Sequence, residues 1–133
     1  MPTVFDKLNL KNHPEVLVLD VPESFEPELA GLSGVRVVRK LADAKQVGFA
    51  LVFVTRQASL DRVSEQLVKK AIGDALLWIA YPKGTSLRYS CDFNRDTGFG
   101  TLRRLGFDSV RQVAIDEDWS ALRFRRNEHI RAK

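Results

Sequence analysis

The chain has almost none of the residues that make covalent or metal staples. Its one cysteine, Cys91, cannot close an intramolecular disulfide, and its two histidines, His13 and His129, give no zinc-ligand spacing. No structural metal and no cofactor are expected. No apolar run approaches the roughly 20 residues that span a bilayer, and the start, MPTVFDKLNLKNHPE, has no apolar stretch ahead of its charges. These absences lead us to expect a soluble, cytoplasmic protein with no membrane contact. Large compositional bias is also missing: 44% hydrophobic and 29% charged residues exclude disordered and fibrous classes. The net charge of +4 is local, because residues 121–133 hold five basic groups against Glu128 and leave residues 1–120 neutral. A folded body with a basic nucleic-acid groove is therefore not indicated.

A chain of 133 residues buries about two-thirds of its unfolded surface, enough for one domain over residues 1–133. VLVLDV (16–21) is a continuous apolar run broken only by Asp20 and ended by Pro22, which reads as a buried parallel strand. ESFEPELAGLSG follows as a short helix with Ser24 as N-cap and Gly31 and Gly34 as stops. VRVVRKL (35–41) is a second strand by its β-branched content, and GFALVFVTR (48–56) a third. Ser59 opens SLDRVSEQLVKKAIGDA, where Leu60, Val63, Leu67, Val68 and Ile72 recur at helical spacing. LLWIAYPK (76–83) is the fourth strand. Asp92 or Asn94 is positioned to cap a helix from Arg95 to Leu105, and VRQVAID and SALRFRR form a closing antiparallel hairpin about a turn at Glu117–Trp119. The expected fold is α/β: a Rossmann-like open, mostly parallel sheet with a C-terminal antiparallel hairpin.

In such sheets ligands bind beyond the carboxyl ends of the strands, where strand order reverses. Asp20, Arg56 and Lys83 end three strands on that edge, so they form the floor of a pocket for a small anionic ligand or a protein partner. An ion pair at the sheet edge is the plainer explanation. Tyr81, before Lys83, could set a ring against a ligand or simply end a strand half-buried. CDFNRDTGFG (91–100) offers Asp92 and Arg95 as further contacts, or is a loosely packed capped helix. Cys91 has no histidine near it in sequence and reads as an inert thiol, and Trp119 reads as a packing residue. Arg123, Arg125 and Arg126 alternate with Phe124, which suits an edge strand blunted by charge, or contact with nucleic acid or an acidic partner. No catalytic residue is identified. The turn after the first strand, DVPESF, has no glycine, whereas a dinucleotide or adenosyl-methionine grip needs one so that backbone can approach the ligand.

Tyr81, Pro82 and Lys83, then Asp92, Asn94, Arg95 and Asp96, then Val113–Asp116, Trp119, Ser120 and Arg123 resemble the segments of a bacterial domain-of-unknown-function family. That family carries a Tyr-Pro-Lys turn and a terminal Val-Ala-Ile-Asp-x-x-Trp-Ser-x-x-Arg run, and the resemblance implies membership without an activity. More distantly, strands followed by a closing hairpin resemble the sheet of class I methyltransferases, which implies strand order 2-1-3-4-6-5. The alternatives to a binding protein are thus a small methyltransferase-like transferase without the usual glycine-rich cofactor loop, or binding of nucleic acid or an acidic partner through the C-terminal arginines.

Overall fold

The computed structural model describes residues 3–11, 13–93 and 97–131. Its centre is one six-stranded sheet, built from β1 (Glu15–Leu19), β2 (Arg36–Val38), β3 (Val47–Phe53), β4 (Ala71–Pro82), β5 (Phe107–Ala114) and β6 (Trp119–Arg126) in the order β2-β1-β3-β4-β6-β5. β2, β1, β3 and β4 run parallel, while β6 pairs antiparallel with both β4 and β5. This is the mostly parallel α/β sheet, with its antiparallel closing pair, that the strand pattern predicts.

The apolar runs are continuous because both faces are covered. Leu17, Ala50, Leu77 and Phe124 pack in one core with Leu60 and Leu67 of α3 (Gln57–Lys70) and Leu102 of α4 (Gly100–Arg104). Their neighbours Val16, Val18, Leu51 and Trp78 enter a second core with Phe5 of α1 (Val4–Lys7) and Leu29 of α2 (Glu26–Ala30). Each fully buried Val, Leu or Phe contributes about 1.5–3 kcal/mol. Trp78 has no exposed surface, and its indole N–H donates to the carbonyl of Leu8 at 2.9 Å, which fastens the end of α1 onto the sheet.

Several boundaries differ from the sequence expectation. α3 begins at Gln57, two residues before Ser59, and ends at Lys70; residues 71–75 belong to β4. Ile72 continues the helical spacing, yet it is 46% exposed, because Ala71 turns extended to pair with Val47 and Gly73 takes φ 52°. The Lys70 ammonium holds this junction by donating to the carbonyls of Leu41 and Ala44 at 2.6 and 2.7 Å. Ser24 caps nothing: residues 23–25 form a single 3-10 turn, and α2 starts after Phe25 with Pro27 in its first turn. The helix expected from Arg95 to Leu105 is described only as α4, which begins at Gly100, past Gly98, a residue that disfavours helix; Asn94, Arg95 and Asp96 lie outside the described residues. β5 starts at Phe107, earlier than Val110, and Trp119 opens β6 rather than sitting in the turn. β6 lies between β4 and β5, so its arginines do not blunt an edge strand. α1, and the turn α5 (Asn127–Arg131), have no signature in the pattern reading. Among the described residues, no helix is long and apolar enough to cross a membrane.

Candidate functional site at the carboxyl edge

From β1 the chain moves to β2 on one side, and from β3 to β4 on the other, so strand order reverses between β1 and β3. Parted loops leave a crevice at such a point. A cleft of about 450 Å³ opens there, walled by Asp20 and Pro22 after β1, by Phe53 at the end of β3 and Arg56 after it, and by Tyr89 and Trp119. A second cleft of about 440 Å³ adjoins it at the end of β4, with Lys83, Ser86 and Cys91 in its wall, and Tyr89 lines both. Asp20 and Arg56 therefore share one cleft, and Lys83 belongs to the next. The three charges do not form one floor.

Local structure explains each position. Asp20 adopts φ 55°, a left-handed conformation that Asp tolerates better than most side chains, and this turns the chain out of β1 with the carboxylate exposed. Arg56 stands at the N-cap of α3 with an exposed side chain that makes no cap hydrogen bond. The cap comes from Asp92, whose carboxylate accepts the Gln57 N–H at 2.6 Å while its own N–H donates to the Thr55 carbonyl at 3.2 Å. Asp92 thus joins the segment after β4 to the start of α3, satisfying one of that helix's free N–H groups. Its carboxylate is engaged with α3 rather than left to face solvent alone, and the segment 94–96 that it was expected to cap lies outside the described residues.

The remaining expected residues are placed as follows. Tyr81 is buried, with its ring 6.1 Å from Phe93 and 5.8 Å from Phe99, and forms part of the core beneath the second cleft. Lys83 is half-buried; its N–H donates to the Asp118 carbonyl at 2.8 Å, and the Asp118 carboxylate accepts the Ser86 hydroxyl at 2.8 Å. These contacts fold residues 83–89 back over the sheet edge. Arg95 lies outside the described residues. Burial pushes the Cys91 thiol above its ordinary range, and Asp92 adds to this, against a backbone hydrogen bond at Phe93 that lowers it. A raised thiol is protonated at neutral pH and so a weaker nucleophile.

Sequence reasoning passed over the aromatic wall. Trp119 is 3% exposed, and its ring lies 5.1 Å from Phe53 and 4.9 Å from Tyr89. Its indole N–H is buried without an acceptor among the described residues. A buried donor left unpaired costs about 1–3 kcal/mol, so an acceptor placed against this indole would be stabilising. The Trp in the terminal run was the available signal, though packing alone would account for a tryptophan. A larger void of about 580 Å³ lies at the opposite edge, around His13, Glu15, Arg36 and Phe49. Its charges are partly paired, Arg36 with Glu15 at 3.6 Å, and no orphaned buried side-chain donor lines it among the described residues. Size favours that void, but strand order and the orphaned indole favour the carboxyl edge.

No protein-family model and no curated protein sequence matches this chain. Solved structures do. A SAM dependent methyltransferase from Aquifex aeolicus superposes with TM-score 0.59 at 16% identity, covering 92% of this chain and 87% of that one. The N-methyltransferase NodS from Bradyrhizobium japonicum WM9 gives TM-score 0.58 at 13% identity, covering 92% of each chain. The fibrillarin pre-rRNA processing protein of Methanococcus jannaschii gives 0.54 at 11%, covering 88% of this chain and 68% of that one. At these identities the likeness is one of fold: the chain has the Rossmann-like sheet of the class I methyltransferases.

Proposed function

We propose that this protein binds a small organic anion with a flat or apolar body in the cleft between the ends of β1 and β3. The orphaned indole N–H of Trp119 carries this reading, because a ligand acceptor placed there would offset the penalty of burying that donor. Arg56 is the residue for the anionic group, Phe53 and Tyr89 supply apolar walls, and Asp20 suits a ligand hydroxyl. Lys83, past Tyr89, would meet a longer ligand. An acidic side chain from a protein partner is the competing occupant. The test is thermal unfolding against carboxylates, phosphomonoesters and nucleotides, with Arg56→Ala and Trp119→Phe alongside the wild type. A ligand at 100 times its dissociation constant adds about 2.7 kcal/mol, or roughly ten degrees for a chain of this size. The reading fails if no compound stabilises the wild type, or if both variants respond as it does.

The fold likeness favours a second reading, a small transferase. One of the neighbours, NodS, has been solved with S-adenosyl-l-homocysteine, at TM-score 0.52 and 12% identity. The residues of this chain do not fit an adenosyl group gripped in the usual way. The first turn is Asp20-Val21-Pro22, without glycine, and Pro22 has no N–H to offer. At the end of β2, where an acidic residue would take the ribose hydroxyls, stands Arg39. Its guanidinium donates twice to Glu26, at 2.9 and 2.8 Å, closing that site with an internal ion pair. A transferase built on this chain would hold its donor by other contacts. Stabilisation by S-adenosyl-l-homocysteine that Arg56→Ala abolishes would support it, and a flat response would remove it.

A further inference from the structure

The C-terminal arginines that stand out in the sequence are mostly committed within the fold. Arg125 donates three times to the Asp74 carboxylate, at 2.6, 2.8 and 3.0 Å. Arg126 donates to the Ala71 carbonyl at 2.6 Å and lies 4.9 Å over the Phe107 ring. Arg123 differs. It is directly opposite Arg111 across the β5–β6 ladder and opposite Trp78 across β4–β6. Its face is the one that holds Trp78 and Ala121, away from α3 and α4.

Like charges directly opposite in a ladder repel. Neither Arg111 nor Arg123 has a salt-bridge partner among the described residues, and the nearby Asp74 carboxylate is taken up by Arg125. The Arg123 Nε–H is buried with no acceptor among the described residues. An uncharged chain of similar length would cover Trp78 without repulsion or an orphaned donor. Two independent features, a facing arginine pair and an unsatisfied guanidinium N–H on one of them, thus call for the same missing group: an anion with several oxygens.

We infer that Arg111 and Arg123 together hold one phosphate-type oxyanion, the phosphate monoester or diphosphate group of a small molecule, on this face of the sheet. Guanidinium forks match phosphate oxygens, and an anion between them turns their repulsion into shared attraction. The positive patch is short. Asp74 and Asp108 stand beside Arg125 at one end, and the apolar Val113–Ala121 pair follows at the other. A nucleic-acid strand needs a run of cations along its backbone, which these neighbours interrupt. A single phosphate group needs only the pair.

Isothermal titration with sodium diphosphate at low ionic strength tests this, using the wild type, Arg111→Gln, Arg123→Gln and, as a control on exposed α3, Arg62→Gln. The expected result is one diphosphate bound per chain by the wild type and Arg62→Gln, with binding weakened about tenfold or more in each of the other two. Arg111 is exposed, so its variant should fold, and without ligand its thermal midpoint should rise as the repulsion is relieved. Failure of the wild type to bind, or equal binding by all four proteins, would overturn the inference. Loss of binding in Arg56→Ala but not in Arg111→Gln would also overturn it, by assigning the ion to the carboxyl edge. Binding of single-stranded oligonucleotide without diphosphate would overturn it in favour of a macromolecule.

Discussion

The ring of Tyr89 lies 4.9 Å from that of Trp119 and tilted 51° to it, so a residue of the segment after β4 packs on the first residue of β6. Tyr89 is also the wall that the two carboxyl-edge clefts share. Removing the ring in Tyr89→Ala should merge the clefts and lower stability by about 1 kcal/mol, the usual worth of an aromatic pair beyond its buried area. Denaturant unfolding would measure that loss. The same variant should bind any carboxyl-edge ligand more weakly while leaving diphosphate binding at Arg111 and Arg123 intact.

Asp92 caps α3 from 35 residues away in sequence. Asp92→Ala should therefore lower global stability by about 1 kcal/mol, as loss of an N-cap does. It should also speed amide exchange at Gln57, and at residue 92 itself through its tie to Thr55. Exchange unchanged at both amides would contradict the assignment.

The Asp74–Arg125 pair sets a pH dependence. Hydrogen bonds from Arg125 hold the Asp74 carboxyl below its usual range, more strongly than its partial burial raises it. A carboxyl depressed in the fold contributes stability that is complete above its unfolded value, about 3.9. That contribution fades as pH falls through the lower folded value. Asp74→Asn should thus melt below the wild type at neutral pH, and the difference should close in strong acid. Thermal scans from pH 7 to pH 2 would show it, and a gap constant with pH would argue against the pairing.

Burial raises the Cys91 thiol, so a disulfide reagent at neutral pH should label it more slowly in the folded protein than in guanidinium. Equal rates would show an open, reactive thiol.

Much of the fold was legible because its elements are locally consistent. β1 after Glu15, β3 and the later part of β4 are apolar throughout, and α3 keeps one apolar face, so period and composition agree there. The end of α3 was illegible because Ile72 extends the helical spacing while the pairing of Ala71 with Val47, a long-range contact, decides the outcome. The site was legible only as an edge. Asp20 and Arg56 could be placed together from strand ends, but Lys83 is set apart by Tyr89, whose position depends on how residues 83–89 fold back through Asp118. The cap from Asp92 and the orphaned donor of Trp119 are equally tertiary facts. Local cap rules pair Asp92 with the turn that follows it, whereas the Gln57 N–H that it accepts belongs to α3.

The indole protons give the most direct test of the central claim. The chain has two tryptophans, so a nitrogen-correlated proton spectrum should show two indole signals. That of Trp78 is already bonded to the Leu8 carbonyl, and that of Trp119 has no acceptor among the described residues. On titration with the carboxylate and phosphomonoester panel, the account predicts that a binding anion moves the Trp119 signal downfield and slows its exchange, leaves Trp78 in place, and loses this effect in Arg56→Ala. If no compound moves the Trp119 signal, or if those that bind move only Trp78, the carboxyl-edge cleft is not the ligand site.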